Sequence, residues 1–213
     1  MSGTLKSYYN ELYREYPARY GTDPLLLVQI AIKKLSRGSA VLDVAGGQGR
    51  NGLYAAEQGH DVVLYDLSSI AVEQARDEAV RRGISSFRAM QGDVIRDGIR
   101  GAYDLIICAF LLHYYSRTSG EKLLKEMQKY TVAGGYHAIA VIMTGGDFYE
   151  MDTHAADHWY FAPGELKNAY KAKGWAIAWT IELPGTSPTK KNDGSPIQNK
   201  NAFVLAQAPQ GNF

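Results

Sequence analysis

Three aspartates, Asp43, Asp66 and Asp93, stand at or just past the ends of short apolar runs, and the first leads into a glycine-rich turn. Val41-Leu42-Asp43-Val44-Ala45-Gly46-Gly47-Gln48-Gly49-Arg50-Asn51 reads as a buried strand carrying a carboxylate, then a turn, then a helix start. Glycine has no side chain in the way and tolerates positive φ, so backbone in such a turn can come close to a ligand. Asp66 ends the run from His60, and its carboxylate can accept two hydrogen bonds from a ribose diol. The pair describes a nucleoside crevice at the carboxyl ends of parallel strands. Gly92-Asp93-Val94 adds a carboxylate able to accept the amino hydrogens of an adenine. His154 and His158, flanked by Asp152 and Asp157, have a spacing that would suit a metal on a helix. The surrounding segment has no helical period and no H-E-x-x-H pattern, so no metal is expected.

Two cofactors compete for the glycine turn. Gly47-Gln48-Gly49-Arg50-Asn51-Gly52 formally matches G-x-G-x-x-G, which taken alone favours a dinucleotide. Asp43 argues the other way. A pyrophosphate there would meet a negative charge, whereas the ammonium of S-adenosylmethionine would be attracted. Asp93 suits an adenine edge, and the chain closes on a strand pair where a dinucleotide fold would place a second mononucleotide half. S-adenosylmethionine is the expected cofactor, with S-adenosylhomocysteine as product.

The elements that must position these residues alternate. Leu5 to Tyr16 is helical and rich in tyrosine; Thr22-Asp23-Pro24 looks like a cap for a helix over Leu25-Leu35. Strands are expected at 40–45, 62–65, 86–90, 103–109 and 136–143, with helices at 49–58, from Ser68 or Ser69 to Gly83, and from a Ser119 cap through 121–130. Gly134-Gly135 is expected to turn the chain into the fifth strand. Thr144-Phe161 lacks periodicity and reads as a loop, followed by a helix over 163–173. Trp175-Leu183 and Lys200-Ala206 read as two strands around a long connection, Pro184-Asn199. Strand–helix alternation ending in a hairpin predicts an α/β, Rossmann-like doubly wound sheet of about seven strands, mostly parallel, in one domain. Residues 1–38 would be a helical lid, 39–143 the cofactor-binding core, and 144–213 the acceptor lid, helix and closing hairpin.

At 213 residues and 46% hydrophobic content, the chain can bury a sizeable core. Formal charge is +1 with no long basic run, which argues against nucleic acid or an anionic membrane as partner. Cys108 is the single cysteine, so no intrachain disulfide can form. The first residues lack the apolar stretch of a signal peptide, and no run is long enough for a bilayer, so a cytoplasmic protein is expected, monomer or homodimer.

VLDVAGGQGRNGLYAAEQGHDVVLYD, SSIAVEQAR, GDV, YDLIICAFLLHYY and AGGYHAIAV resemble, in this order, the motifs of class I S-adenosylmethionine-dependent methyltransferases. YYNELYREYPARYGTDP, the GRN after the turn, and DHWYFAPGELKNAYKAKGW are similar to the tellurite-resistance (TehB-type) members and their thiopurine-methyltransferase-like relatives. The resemblance runs from about Tyr8 to Ala206. It implies methyl transfer by in-line displacement to a small-molecule acceptor such as a chalcogen oxyanion or a thiol.

By the same resemblance Asp43, Ala45, Gly46, Gly47, Gly49, Arg50 and Asn51 shape the methionine pocket. Asp66 and Leu67 take the ribose and flank the adenine, and Gly92, Asp93 and Val94 read its edge. Cys108, Ala109 and Phe110 lie where the fourth strand meets the ligand. Arg14 and Tyr20 of the lid join them, Arg14 as partner of the cofactor carboxylate. Tyr8, Trp159, Tyr160 and Phe161 would wall the acceptor, and His113 is the polar candidate beside it. Two departures stand out: Ala45 replaces the first glycine of D-x-G-x-G-x-G, and Pro184-Gly185 falls near the place of a His-Arg pair. A sensor that binds the cofactor without transfer, an enzyme that degrades it, and an NAD-dependent oxidoreductase remain as alternatives.

Overall fold

The structure, a computed structural model, describes residues 2–211. Seven strands form one sheet in the order β3-β2-β1-β4-β5-β7-β6. They are β1 (Ala40–Val44), β2 (Asp61–Asp66), β3 (Phe87–Gln91), β4 (Tyr103–Ala109), β5 (Thr131–Ile142), β6 (Ala176–Lys190) and β7 (Pro196–Gln207). The first five pair in parallel, while β7 runs antiparallel to both β5 and β6. The expected fold class is the observed one.

Helices flank the sheet on both faces: α1 (Ser2–Glu15), α2 (Leu26–Ile32), α3 (Arg50–Glu57), α4 (Ser69–Arg81), α5 (Val94–Asp97), α6 (Arg117–Lys129), α7 (Asp147–Met151) and α8 (Glu165–Lys171). Two apolar clusters result, one on each face. Leu42, Ile106 and Ile139 point to one, and Val41, Leu105, Ile107 and Ala138 to the other. That is why β4 reads as a continuous apolar run in the sequence. Chain order reverses between β1 and β4, so the loops after these two strands diverge and leave a crevice over their carboxyl ends.

Several local expectations are corrected. Pro184-Asn199 is not a long connection. β6 and β7 continue through it in paired register, Pro184 opposite Lys200 and Gly185 opposite Asn199, and only residues 191–195 turn. β6 is an edge strand, where proline's missing N–H costs no ladder bond. Asp23 does not cap α2: its N-cap is Leu25, without a side-chain cap bond, and the Leu25 N–H donates to Asn51 Oδ1 at 3.0 Å. Ser116, not Ser119, caps α6. Gly134 and Gly135 lie inside β5, within the register shift that separates the Tyr103–Thr131 and Leu105–Tyr136 pairs. The 144–161 segment contains the short helix α7. Ser68 caps α4 as expected, accepting from the Ala71 N–H. Among the described residues no helix is long and apolar enough to cross a membrane.

Candidate active site

Asp43 is carried to the centre of the sheet by β1, where it is 1% exposed. Its Oδ2 accepts the Gly52 N–H at 2.9 Å, while Oδ1 has no partner. Burial pushes its carboxyl up to about 7; the Gly52 bond and Arg50 pull the other way, and Asp66 adds to the rise. The turn that follows is tight. Gly46 has no room for a side chain, because a Cβ there would sit 2.5 Å from Leu64 Cδ1 and 2.7 Å from Asp43 Oδ2. The left-handed conformations fall on Ala45 (φ 53°) and Gly47 (φ 57°). Ala45 therefore carries strain where a glycine would not, on the order of 1–2 kcal/mol. Phe110, just past β4, is strained in the same way (φ 58°) and faces the same crevice. Such strain collects where backbone geometry serves a ligand.

Asp66 sits at the tip of β2 and spends both oxygens on backbone. Oδ2 accepts the Gly47 N–H and Oδ1 the Ser68 N–H, each at 2.8 Å. The carboxylate thus ties the glycine turn to the cap of α4. Burial raises it to about 6, against the pull of those N–H bonds.

Over this floor lies a cavity of about 860 Å³, at the upper end of the roughly 300–1,000 Å³ range of small-molecule sites. α1 and the segment behind it form one wall. Tyr9 and Tyr13 stack with centroids 5.6 Å apart, Tyr9 Oη donates to Tyr114 Oη at 2.6 Å, and Tyr13 Oη hangs directly above Gly47. The Ser68 hydroxyl donates to Asn10 Oδ1 at 2.7 Å and pins α1 to α4. The opposite wall is the distal hairpin, from Leu183 and Gly185–Thr189 to Asn199, Asn201 and Phe203. Arg19 bridges the walls: its N–H donates to Gln48 Oε1 at 3.0 Å, its guanidinium to Thr189 Oγ1 at 3.1 Å, and its buried Nε has no partner.

A second, shallow depression of about 20 Å³ adjoins the first across Ala45, Asp66 and Leu67, and reaches Gly92, Asp93 and Val94. Asp93 also caps α5, accepting from the Ile95 and Arg96 N–H groups.

The predicted residues divide accordingly. Asp43, Ala45, Gly46, Gly47, Arg50, Asn51, Asp66, Leu67, Ala109, Phe110, His113, Tyr8 and Tyr20 all line the main cavity. Gly49 lies beneath it, as the left-handed N-cap of α3. Cys108 is fully buried in the core, its thiol pushed up to about 12 by desolvation, and touches neither cavity.

Arg14 is exposed outside the crevice, because α1 turns Tyr13 inward and Arg14 outward; Arg19 and Arg50 are the cations inside. Trp159, Tyr160 and Phe161 line neither cavity. Trp159 stacks on Phe161 with centroids 4.2 Å apart, over Gly120 of α6, and Tyr160 donates to Asp152 behind His113. Tyr9, Tyr13, Arg19, Tyr114, Asn199 and Asn201 also line the cavity and were not among the expected residues. The i, i+2, i+4 spacing of Asn199, Asn201 and Phe203 was the available signal for one strand face.

The residues present fit S-adenosylmethionine. Asp43 Oδ1 is unpartnered beside a turn that has no room for a side chain at Gly46, and a carboxylate-rimmed shallow slot lies one strand further on. Asp43 would face the ammonium, with the ribose over Asp66 and the adenine toward Asp93.

A seven-stranded sheet of this order with this crevice over β1, β2 and β4 defines a class I S-adenosylmethionine-dependent methyltransferase fold. The chain belongs to the family described as Tellurite resistance protein TehB, whose model matches residues 5–205. A probable S-adenosyl-L-methionine-dependent methyltransferase TehB of Haemophilus influenzae is 26% identical over 90% of this chain and 65% of its own length. The crystal structure of TehB from Haemophilus influenzae superposes with a TM-score of 0.72 at 26% identity, covering 85% of this chain and 61% of that one. The chain thus spans less than two thirds of the length of these relatives. The cyclase SpnF shares the fold at 15% identity, with a TM-score of 0.75 over 99% of this chain and 98% of its own.

Proposed function

We propose that this protein transfers the methyl group of S-adenosylmethionine to a small molecule presenting a soft nucleophile, a thiol or a chalcogen oxyanion. The observation that carries the reading is the orphaned Oδ1 of Asp43 at the strand tip, beside a turn built for close approach. Family membership and the name of the Haemophilus influenzae relative support it.

Transfer from a sulfonium is an in-line displacement: the acceptor lone pair forms the new bond to carbon as the carbon–sulfur bond breaks, and the electron pair stays on sulfur. The chain's part is to align the two molecules and exclude water. Positioning of this kind is worth roughly 7–11 kcal/mol. The Arg19–Thr189 bridge and the tyrosines of α1 flank the cavity in which the two molecules would meet.

Of the described residues that line the cavity, His113 is the one histidine. His113 is 1% exposed, and desolvation drives its imidazole down to about 3, so it is neutral and weakly basic at physiological pH. A nucleophile that arrives already deprotonated, or that needs no deprotonation, suits this site better than an alcohol or an ammonium. His113 is then a hydrogen-bonding group that orients the acceptor.

A labelled-methyl transfer screen across tellurite, selenite, thiols and small amines tests the reading. Label is expected on a sulfur or chalcogen acceptor. Tight cofactor binding with no transfer to any acceptor would favour a sensor, and a nicotinamide absorbance change on substrate addition would favour an oxidoreductase.

A further inference from the structure

The hairpin wall of the cavity is an arm. β5 accompanies β7 only as far as Asn201, opposite Ile142, so from Pro184 to Lys200 the hairpin strands pair with each other beyond the sheet. A backbone bond from the Met143 N–H to the Lys200 carbonyl, at 2.7 Å, marks the root of the arm. Its less exposed positions alternate, Gly185, Ser187 and Thr189 on β6 and Ile197, Asn199 and Asn201 on β7, and of these Ile197 alone is a large apolar residue. An arm with so little apolar surface to bury is held by polar contacts and opens more readily than the sheet behind it.

Those contacts fall on two sides. On one side α7 grips β7: Asp147 accepts the Gln198 N–H at 2.7 Å and pairs with Lys191 Nζ at 2.9 Å, and the Phe148 N–H donates to Asn199 Oδ1 at 3.2 Å. On the other side, among the described residues, the one hydrogen bond between the segment 16–25 and the arm is that of Arg19 Nη2 to Thr189 Oγ1, at 3.1 Å.

Both partners of that bond are set up by local backbone. The hairpin register shifts between Thr186 and Lys190, and the Thr189 N–H donates to Ser187 Oγ at 3.1 Å. Irregularities of this kind re-aim a side chain. Ala18, next to Arg19, is left-handed (φ 58°), and its carbonyl accepts the Gly21 N–H at 2.8 Å. Strain at a non-glycine residue persists where the surroundings enforce it, often at ligand clamps. The guanidinium lies over the Tyr16 ring, 4.7 Å from its centroid. Arg19 therefore touches the glycine turn with its backbone, through Gln48, and the arm with its tip, while its buried Nε has no partner.

We infer that Arg19 and Thr189 form a clasp that couples cofactor binding to the acceptor wall. A guanidinium is a rigid planar fork, so a carboxylate held at Nε fixes the plane of the whole group. The donor aimed at Thr189 is fixed with it, and the arm is seated. The acceptor then binds second, against a wall that the cofactor has completed. Thr189 is a positioning residue, acting on the cofactor through Arg19. The coupling is reciprocal: the seated arm strengthens cofactor binding by the same factor by which the cofactor holds the arm closed. This rests on the methyl-transfer reading and adds to it an order of binding, for a thiol and an oxyanion alike.

The test is amide hydrogen exchange across residues 184–200 of the full chain, with and without S-adenosylhomocysteine, beside calorimetry of the same ligand. In the parent, S-adenosylhomocysteine should slow exchange of the arm by about tenfold. Thr189→Val keeps the shape of the side chain and removes the accepting oxygen. Its arm should no longer respond to the ligand, and the ligand should bind about tenfold more weakly. Thr189→Ser restores the hydroxyl and should restore both effects. Asp147→Asn loosens the α7 side, so its arm should exchange faster in both states and still slow by about tenfold on binding.

The inference is overturned if S-adenosylhomocysteine binds the parent and leaves arm exchange unchanged, or if Thr189→Val responds as the parent does. It is also overturned if Asp147→Asn loses the response as fully as Thr189→Val, since the effect would then belong to the general stability of the arm. A parent chain that binds no S-adenosylhomocysteine overturns the methyl-transfer reading, and the clasp with it.

Discussion

Asp66 shows how one residue can hold a site and belong to it. Its two oxygens already accept N–H groups from Gly47 and Ser68, so any ribose contact uses lone pairs left over from that work. Asp66→Ala is expected to leave two buried amides unpaired, costing on the order of 2 kcal/mol or more in folding as well as weakening the cofactor. Thermal melts and calorimetry separate the effects. An unchanged melting temperature would remove the turn-holding role, and unchanged affinity would remove the ribose contact.

The strand-tip aspartates and the glycine turn were legible in the sequence because their chemistry is local: a carboxylate after an apolar run, then residues that permit positive φ. Their burial was not. The rise of Asp43 to about 7 comes from packing around a strand tip, which spacing does not encode. Nor was the share of the turn's two neighbours: Ala45, noted only as a departure from the motif, itself adopts the left-handed conformation, and Gly46 is required for room.

At the level of elements, the lid and the hairpin carried the errors. The hairpin was read as a loop because Pro184, Pro188, Gly185 and several lysines and asparagines mask strand alternation. That composition is what an edge strand tolerates. The lid was read correctly as a helix, but its phase was not. Tyr9 and Tyr13, four apart, share the inward face and leave Arg14 outside. Arg19 takes the interior place, where its buried Nε has no partner, and we assign it, in place of Arg14, to the cofactor carboxylate. Arg19→Ala should weaken S-adenosylmethionine and S-adenosylhomocysteine alike by about tenfold or more, since both carry that carboxylate and a charged hydrogen bond is lost. Arg14→Ala should change neither. Equal effects from the two variants in calorimetry would return the role to the outer face of α1.

Across the whole molecule, three buried histidines and two buried aspartates among the described residues carry a cost of desolvation that changes with pH between about 3 and 7. His60, His113 and His137 are held below the usual histidine range by desolvation, whereas Asp43 and Asp66 are held above the usual carboxylate range by the same cause. Their effects on stability oppose each other. The histidines bind protons more readily unfolded, so they favour the folded state increasingly as pH rises toward about 6.5. Asp43 binds its proton more readily folded. Its burden is absent near pH 4, grows as pH rises, and is complete above about 7.

A melt of the parent chain mixes these signs, but the difference between the parent and Asp43→Asn isolates one of them. Near pH 4 the two should melt nearly alike, because the burden of Asp43 is absent there. By pH 8 the variant without cofactor should be the more stable, since it buries no charge. Cofactor affinity should move the opposite way. The parent should bind S-adenosylmethionine more tightly as pH rises through 7 and the carboxylate that meets the ammonium ionises, while Asp43→Asn should bind weakly and almost without pH dependence. A carboxylate that lowers the stability of the empty protein and strengthens its grip on a cation has the signature of a binding group. If the melting difference is constant from pH 4 to 8, Asp43 is ionised throughout, and its unpartnered oxygen is not waiting for the cofactor.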